Sequence, residues 1–584
     1  MSDVKNLKTK YIVVAGGIIS GVGKGIATAS IGKILQSKGF SCTAIKIDPY
    51  INCDAGTMRP TEHGEVWVTG DGGEIDQDLG NYERFLGQEI PKRNNITTGQ
   101  VYGAVIDRER KGEYLGKTVQ VIPHIPREIL TRVIAASSDK EHPDGFDFVL
   151  VEIGGTIGDY ENTPFLFAMK DLENKIRKEN IVYVLVSYLP VPAHINEMKT
   201  KPTQHAIKLM SEHGVLPDFI LCRGPEPMDN VRKSKIETYS NISKDFIISA
   251  PDVKSIYDVP VNFEKEDLGN KILKKFGLPL QSSDLRKWEK LTNKIHCPKH
   301  KIKIAMVGKY VDIGAFTLTD SYISINHSIE HAGPHLDAYA QIGWVDSKEL
   351  ETDDKEKIKQ ILSEYDGIVI PGGFGSSGVE GKINAITYAR ENNVPFLGLC
   401  YGMQLAVVEY ARNICGLENA HTTEIEPNTP YPVIDILDAQ KEIIKNSDYG
   451  ASMRLGAYAA CMKPSMILDL YKKSGRFERD MKKIVRMRTN AESLERLGEC
   501  TGDMVLERHR HRYEVNPKFV EQIEAAGLVF SGNHIMSDGT KLMEFIELPN
   551  HKFFAATQAH PEFKSYLTEP APLFLGFLEA CLQN

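Results

Sequence analysis

The chain has 584 residues, of which 41% are hydrophobic and 25% charged, an ordinary composition for a folded protein and a length that implies about two to four cores. Its 70 lysines and arginines stand against 78 aspartates and glutamates, a net charge of −8. That balance excludes the basic field of a general nucleic-acid binder but leaves room for local cationic pockets. No run approaches the roughly 18–20 apolar residues that span a bilayer, and the polar start lacks a secretory pattern, so a cytoplasmic protein with no membrane partner is expected. The nine cysteines, Cys42, Cys53, Cys222, Cys297, Cys400, Cys415, Cys461, Cys500 and Cys581, are scattered without a C-x-x-C pair. That spacing predicts reduced thiols rather than a disulfide framework or a zinc site.

In chain order, a β-branched run at 11–15 ends in Gly16-Gly17 and predicts the first strand of an α/β unit. The glycine-rich stretch 16–25 follows, then a helix-compatible run at 26–37. Backbone N–H groups of such a turn crowd around a phosphate at the positive helix end, and Lys24 would neutralise it. The strict phosphate loop requires glycine at 18 and serine or threonine at 25, where this chain has Ile18 and Gly25. Further strands are predicted at 41–47, 146–153, 181–188 and 219–222, with a helix at 125–136, which together indicate a mostly parallel sheet covered on both faces. Glu152 ends an apolar strand and is placed to hold magnesium with a nucleotide. In the acidic loop 71–78, Asp71, Asp76 and Asp78 are equivalent candidates for a second carboxylate.

The polar, lysine-rich stretch 281–300 reads as a linker, giving two doubly wound α/β domains at 1–280 and 301–584. Strands are predicted at 302–307, 367–370, 395–400 and 553–557 of the second. Gly398-Leu399-Cys400-Tyr401-Gly402, between a strand and a helix, is a nucleophile elbow with cysteine in place of serine. A thiol at a helix N-terminus is favoured as thiolate. The N–H of Tyr401 and one from the loop 372–375 would form an oxyanion hole. His560-Pro561-Glu562 supplies a base and an acid to orient it, so this domain is expected to transfer acyl groups through a thioester. The stretch 472–488, with eight basic residues against two acids, is expected to be a solvated helix or a mobile insertion.

The thiol and His-Pro-Glu motifs resemble class I glutamine amidotransferases. The first half resembles the synthetase domain of the CTP synthases, through Ser20-Gly-Val-Gly-Lys-Gly25, Lys46-Ile-Asp-Pro-Tyr-Ile-Asn52, His63-Gly-Glu-Val66, Gly80-Asn-Tyr-Glu-Arg-Phe85, Glu152-Ile-Gly-Gly-Thr-Ile-Gly-Asp159 and Lys199-Thr-Lys-Pro-Thr-Gln204. Arg508-His-Arg-His-Arg-Tyr-Glu514 extends the likeness into the second half. The resemblance implies a P-loop-like synthetase domain that aminates UTP to CTP through a 4-phosphorylated intermediate, with ammonia from glutamine. It implies ATP contacts at Gly21, Val22, Gly23, Lys24, Gly25, Ile26, Lys46, Asp78 and Val253, and magnesium held by Asp78 and Glu152. Ser20, Lys199, Thr200, Lys201, Pro202, Thr203, Gln204 and Lys235 would contact UTP, and Asp159, Tyr160 and Glu161 the inhibitor CTP. Cys400, His560 and Glu562 would be catalytic, with glutamine held by Gly373, Tyr401, Gly402, Met403, Gln404, Glu424 and Arg512. GTP as activator, CTP as feedback inhibitor, a homotetramer and filaments complete the implied set. Tyr401 and Ala559 depart from the larger aliphatic and aromatic residues of the family, which predicts altered packing rather than lost activity.

Three other readings compete. A corrinoid amide synthase shares both module types, but the Lys199–Gln204 segment and the intact Cys400, His560 and Glu562 set favour a nucleotide substrate. A partition-type ATPase would not need the second domain or show the acidic balance. A purely structural, polymerising protein would not need either site.

Overall fold

The computed structural model describes residues 8–58, 64–195, 197–308, 312–313, 316–317, 322–373, 375–436, 453–489 and 493–583. His63, quoted above, and position 374 of the loop 372–375 lie outside the described residues. The chain divides into two units, Met1–Thr57 with Ile75–Thr292 and Met58–Glu74 with Asn293–Asn584.

The first unit is built on a seven-stranded parallel sheet. Its strands are β1 (Lys10–Gly17), β2 (Cys42–Asp48), β3 (Asn95–Thr97), β4 (Phe148–Ile153), β5 (Ile181–Tyr188), β6 (Phe219–Gly224) and β7 (Ile247–Pro251), in the order β3-β2-β4-β1-β5-β6-β7. Helices lie against both faces, so the central strands β1, β2 and β4 are buried almost throughout and read as continuous apolar runs. In parallel sheets of this kind, ligands gather beyond the carboxyl ends of the strands. Lys46 stands opposite Glu152 across the β2–β4 pair, near those ends. Helix Arg286–His296 falls within the stretch expected as a linker. Its Trp288 is buried, donates to the Tyr257 carbonyl at 2.7 Å and packs against Phe85.

The second unit carries a nine-stranded mixed sheet. Its strands are β8 (His300–Gly308), β9 (Ala338–Asp346), β10 (Gly367–Ile370), β11 (Phe396–Leu399), β12 (Arg454–Met462), β13 (Met504–His511), β14 (Val529–Ile535), β15 (Lys541–Glu547) and β16 (Phe554–Thr557), in the order β9-β8-β10-β11-β16-β15-β14-β12-β13. The pairs from β9 to β16 are parallel and those from β16 to β13 antiparallel. Alternate residues of β8 feed two cores, Ile302, Ile304 and Met306 on one face and Ala305 and Val307 on the other.

One expectation is corrected. Cys461 and Cys500 form a disulfide across 39 residues, where scattered spacing had suggested only reduced thiols. The reason is tertiary: β12 carries Cys461 back to the chain that enters β13, a juxtaposition no local spacing reveals. Thiol titration of the denatured, unreduced protein is expected to find seven reactive thiols rather than nine; a count of nine would show that the bond is absent. The basic stretch is in the main the solvated helix expected, with Lys472, Lys473, Lys482, Arg486 and Arg488 exposed and Arg476 the exception. It folds as helices Met466–Lys473 and Arg476–Met487. Arg476 is fully buried, with Asp480 at 2.9 Å and Glu507 at 3.3 Å, while Lys472 and Lys473 pair with Asp503 and Glu579 at 2.7 and 3.0 Å. Burying a guanidinium requires that its charge be matched, and the two carboxylates supply the match.

Candidate active sites and family

In the first unit the turn after β1 leads into helix Lys24–Ser37, with Gly21 and Gly23 at φ of 69° and 86°, the left-handed region that side chains disfavour. Lys24 is nine-tenths buried and donates to the Gly155 carbonyl at 2.7 Å. A side chain at Gly16 would meet it: a Cβ there would stand 2.7 Å from Lys24 Cδ. Gly25, which departs from the strict phosphate loop, is explained by the same test. Its Cβ would fall 2.4 Å from Asp78 Oδ1 and 3.7 Å from Glu152 Oε2. Two carboxylates thus converge on the space that a serine or threonine side chain would fill.

Lys46 pairs with Asp78, with Glu152 at 3.4 Å and with Asp48 at 3.5 Å. Burial alone would lower the Lys46 pKa, but the carboxylates around it outweigh burial and raise it, so the ammonium persists. Burial pushes Glu152 upward against the pull of Lys46. Burial lowers Lys24, and the neighbouring Lys46 charge adds to that. The three acids left open by pattern are sorted by the fold. Asp78 joins Lys46 and Glu152, Asp76 accepts from the Asp78 N–H at 3.0 Å, and Asp71 is exposed in a turn with Thr69.

A cavity of about 130 Å³ opens beside the loop, lined by Gly23, Ile26, Arg223 and Val253 among others. A second concavity is lined by Gln204, Ser234 and Lys235. Helix Lys201–Glu212 carries Pro202, Thr203 and Gln204, with Thr200 at its start. It packs close to the end of β1, where a Cβ on Gly17 would meet Ala206 Cβ at 2.4 Å. Thr203 is buried against the Ser187 hydroxyl at 2.8 Å, and Lys199 pairs with Glu197 at 2.8 Å. Ser20 is exposed, as are Asp159, Tyr160 and Glu161, and the Thr156 N–H donates to Asp159 at 2.9 Å.

In the second unit β10, β11 and β16 are adjacent, and their following loops carry Gly372, Cys400 and His560. Cys400 has φ 50° and ψ −100°, a strained conformation at the start of helix Tyr401–Asn413 that presents its side chain at the end of the strand. The flanking glycines are sterically required. A Cβ on Gly402 would stand 2.3 Å from the Ile370 carbonyl oxygen, and one on Gly398 2.8 Å from Ala556 Cβ. Gly372 marks where thiol and imidazole converge: its Cβ would lie 3.1 Å from His560 Cε1 and 3.7 Å from Cys400 Cβ. His560 Nδ1 is 2.7 Å from Glu562 Oε1. Glu424 accepts from the Gly375 N–H at 3.0 Å. Gln404 donates to the Tyr513 carbonyl at 3.0 Å, on the strand that follows Arg512. Met403 is fully buried behind the elbow. Tyr401 is buried with Lys382 Nζ 5.3 Å from its ring centroid, and Ala559 is fully buried, so both departures from the family are absorbed in packing.

Burial opposes charge on His560, but Glu562 and then Cys400 outweigh it and raise the pKa to about 10. A value raised above the ordinary 6.5 means that the stabilisation is complete below pH 6.5 and is lost as the pH rises through about 10. Glu562→Gln is therefore expected to reduce unfolding free energy most near about pH 6, with the gap from wild type shrinking in alkali. Urea titrations across that range check it, and a gap independent of pH would contradict the ion pair.

A model of the CTP synthase N-terminus matches residues 10–278, and a model of class-I glutamine amidotransferases matches residues 317–580. A CTP synthase of Thermococcus gammatolerans is 46% identical over 577 residues, 99% of each chain. The chain belongs to the CTP synthase family. Another CTP synthase, from Methanocaldococcus jannaschii, is 47% identical over 579 residues, 98% of each chain. The glutaminase domain of a Trypanosoma brucei CTPS with bound acivicin is 34% identical and covers 48% of this chain and 94% of that one, with a TM-score of 0.40. CTP synthases are glutamine-hydrolysing, ATP-dependent ligases, and the corrinoid, partition and purely structural alternatives fall with this assignment.

Three residues at these two candidate sites were given no role by the sequence. Tyr82 donates its hydroxyl to Glu152, fixing the carboxylate. Arg223 reaches the Val22 carbonyl at 3.4 Å and pairs with Asp252. Gln558 donates to Cys400 Sγ at 3.6 Å and accepts from Gln404 at 3.2 Å. Gly372, in the loop already marked for the oxyanion hole, offers the space between thiol and imidazole. Of the three, Tyr82 and Gln558 had a signal, Tyr82 inside the quoted Gly80–Phe85 motif and Gln558 two residues before His560.

Proposed function

We propose that this chain makes CTP from UTP, ATP and glutamine at two separate sites, and that the residues assembled at each carry the roles their geometry suits. The observation that carries the reading is the pairing, in one chain, of the Lys24, Lys46, Asp78 and Glu152 cluster with the Cys400, His560 and Glu562 cluster.

At the first site the uracil carbonyl oxygen is a poor leaving group and must become a phosphate ester before nitrogen can replace it. Lys24 and Lys46 neutralise charge on the transferring phosphoryl group, which passes from ATP to O4 of UTP. Ammonia then adds at C4 and phosphate departs, so the balance is ATP, UTP and ammonia to ADP, phosphate and CTP. Asp78 and Glu152 fit magnesium, because two hard carboxylates converge beside the phosphate loop. Magnesium held there would supply positive charge to offset that of the nucleotide phosphates. Ile26 and Val253, in the cavity beside the loop, suit the apolar base of ATP. Gln204 and Lys235, which line one concavity, suit a pyrimidine nucleotide; Ser20 and residues 199–203 are assigned to the same nucleotide, and the exposed Asp159 to Glu161 to CTP.

At the second site Cys400 attacks the glutamine amide carbon, and His560 delivers the proton that lets ammonia leave. Water then opens the thioester to glutamate, with His560 taking its proton and Glu562 orienting the ring. The N–H of Tyr401 and one from the loop 372–375 would stabilise the oxyanion. Glu424 suits the ammonium of glutamine and Arg512 its carboxylate. The same reading takes the protein as a cytoplasmic homotetramer, activated by GTP and inhibited by CTP, with Met1 to residue 280 as synthetase and 301–584 as amidotransferase.

The test is to incubate the protein with UTP, ATP, magnesium and glutamine and to follow CTP. CTP should form, more slowly without GTP and more slowly with added CTP. Glutamine consumption without CTP would refute the reading of the first unit.

A further inference from the structure

Trp67 lies more than three hundred positions in sequence from the cysteine and histidine it serves, in the short segment Met58–Glu74 that belongs with the second unit. It is fully buried, and its ring meets Phe563 with centroids 5.0 Å apart at 61°. Phe563 in turn stacks on the imidazole of His560, 5.2 Å away and only 20° from parallel. A further support of His560, besides Glu562 at its Nδ1, is Arg508, whose carbonyl accepts from the His560 N–H at 2.7 Å. The guanidinium of Arg508 lies 5.4 Å from the Trp67 ring centroid, and its Nη1 donates to the Val68 carbonyl at 2.9 Å. Both the ring and the backbone of the histidine are therefore braced by residues that rest on Trp67 and Val68.

The segment is tied down on either side of this contact. Ser324 donates its N–H to Glu65 at 3.1 Å, and Ser328, one turn along the same helix, donates to the Glu562 carbonyl at 3.4 Å. The Gly70 carbonyl accepts from Ala457 at 2.9 Å and from Arg496 at 2.8 Å. Glu74 accepts from Arg510 Nε at 2.8 Å, and the Arg510 carbonyl lies 4.0 Å from Cys400 Sγ. Such anchoring exceeds what a solvent-facing loop would need.

We infer that Trp67 is a positioning residue for glutamine hydrolysis, holding the His560 ring in plane through Phe563 and its backbone through Arg508. The inference rests on His560 acting as acid and base on the glutamine amide. A ring that tilts loses alignment with both the thiol and Glu562, and misplacement of about 1 Å costs on the order of a hundredfold in rate. Trp67 touches no substrate; it acts through Phe563 and Arg508.

The experiment compares Trp67→Leu, Trp67→Phe and Phe563→Leu in the full chain. Each is assayed for glutamine-dependent and ammonia-dependent CTP formation, with the pH profile of glutamine kcat. Trp67→Leu and Phe563→Leu are expected to lower glutamine kcat by about ten- to a hundredfold with KM little changed, and to shift the alkaline limb of the profile. Ammonia-dependent synthesis should remain, and Trp67→Phe should restore most of the glutamine rate. The groups that set the profile besides Glu562 and Cys400 are His509 and His511, which interact with His560 from β13 and are untouched by these variants. Unchanged glutamine kcat in folded Trp67→Leu would overturn the inference. So would an equal fall in both activities, since a merely structural role predicts it. If Trp67→Leu does not fold, Phe563→Leu and Trp67→Phe decide by the same readouts. A wild type that consumes no glutamine would instead sink the underlying reading of His560.

Discussion

Cys400→Ala is expected to abolish glutamine-dependent CTP formation while leaving ammonia-dependent formation close to wild type. The thiol sits in a strained turn, φ 50°, at the end of β11, where Gln558 and the His560 ring converge on it. Alanine removes the atom that bonds to the amide carbon, and loss of a covalent nucleophile costs on the order of 10⁴-fold or more. Nothing in the fold opposes the change, because alanine fills less space than cysteine beside Gly372. Free ammonia needs no thioester, so the reaction at the other site should continue. Loss of both activities in a folded variant would contradict the division into two chemistries.

Lys24→Ala is expected to remove both glutamine-dependent and ammonia-dependent synthesis. Lys24 and Lys46 are buried neighbours that repel each other; Glu152 and Asp78 offset part of that repulsion, and an added anion would offset more. A polyphosphate is such an anion, and losing one pre-organised cation from a transferring phosphoryl group costs on the order of 10²–10³-fold in kcat. Glutamine hydrolysis without CTP formation should survive in this variant. The comparison requires ammonium as well as glutamine as nitrogen donor, and retained ammonia-dependent synthesis would show that the phosphate loop has been misassigned.

The strand ends were legible because each was a short apolar run leading into a glycine-containing turn. β1 before the phosphate loop and β11 before the elbow are both of this kind, and both carry their chemistry at the next few residues. The pairing of Cys400 with His560 was legible only as two motifs in one domain; that β11 and β16 are parallel neighbours, Leu399 opposite Thr557, is what brings them together. What sequence could not show was contact between distant residues of ordinary type. Arg223 is one arginine among many until β6 delivers it to the phosphate loop. Cys461 and Cys500 are bonded because two strands meet, not because of their spacing. Arg476 was lost among seven other cations, and only its pairing with Asp480 and Glu507 sets it apart. Trp67 belongs to the same class, a residue early in the chain whose ring packs on Phe563, the neighbour of the His560 imidazole.

The most direct measurement supplies glutamine labelled with ¹⁵N at the amide, together with UTP, ATP, magnesium and an excess of unlabelled ammonium at low pH, and follows the label by mass spectrometry. The label should appear in the 4-amino group of CTP, with one ADP and one glutamate formed for each CTP. Labelled ammonium released to the medium with no CTP, or CTP carrying only unlabelled nitrogen, would contradict the account.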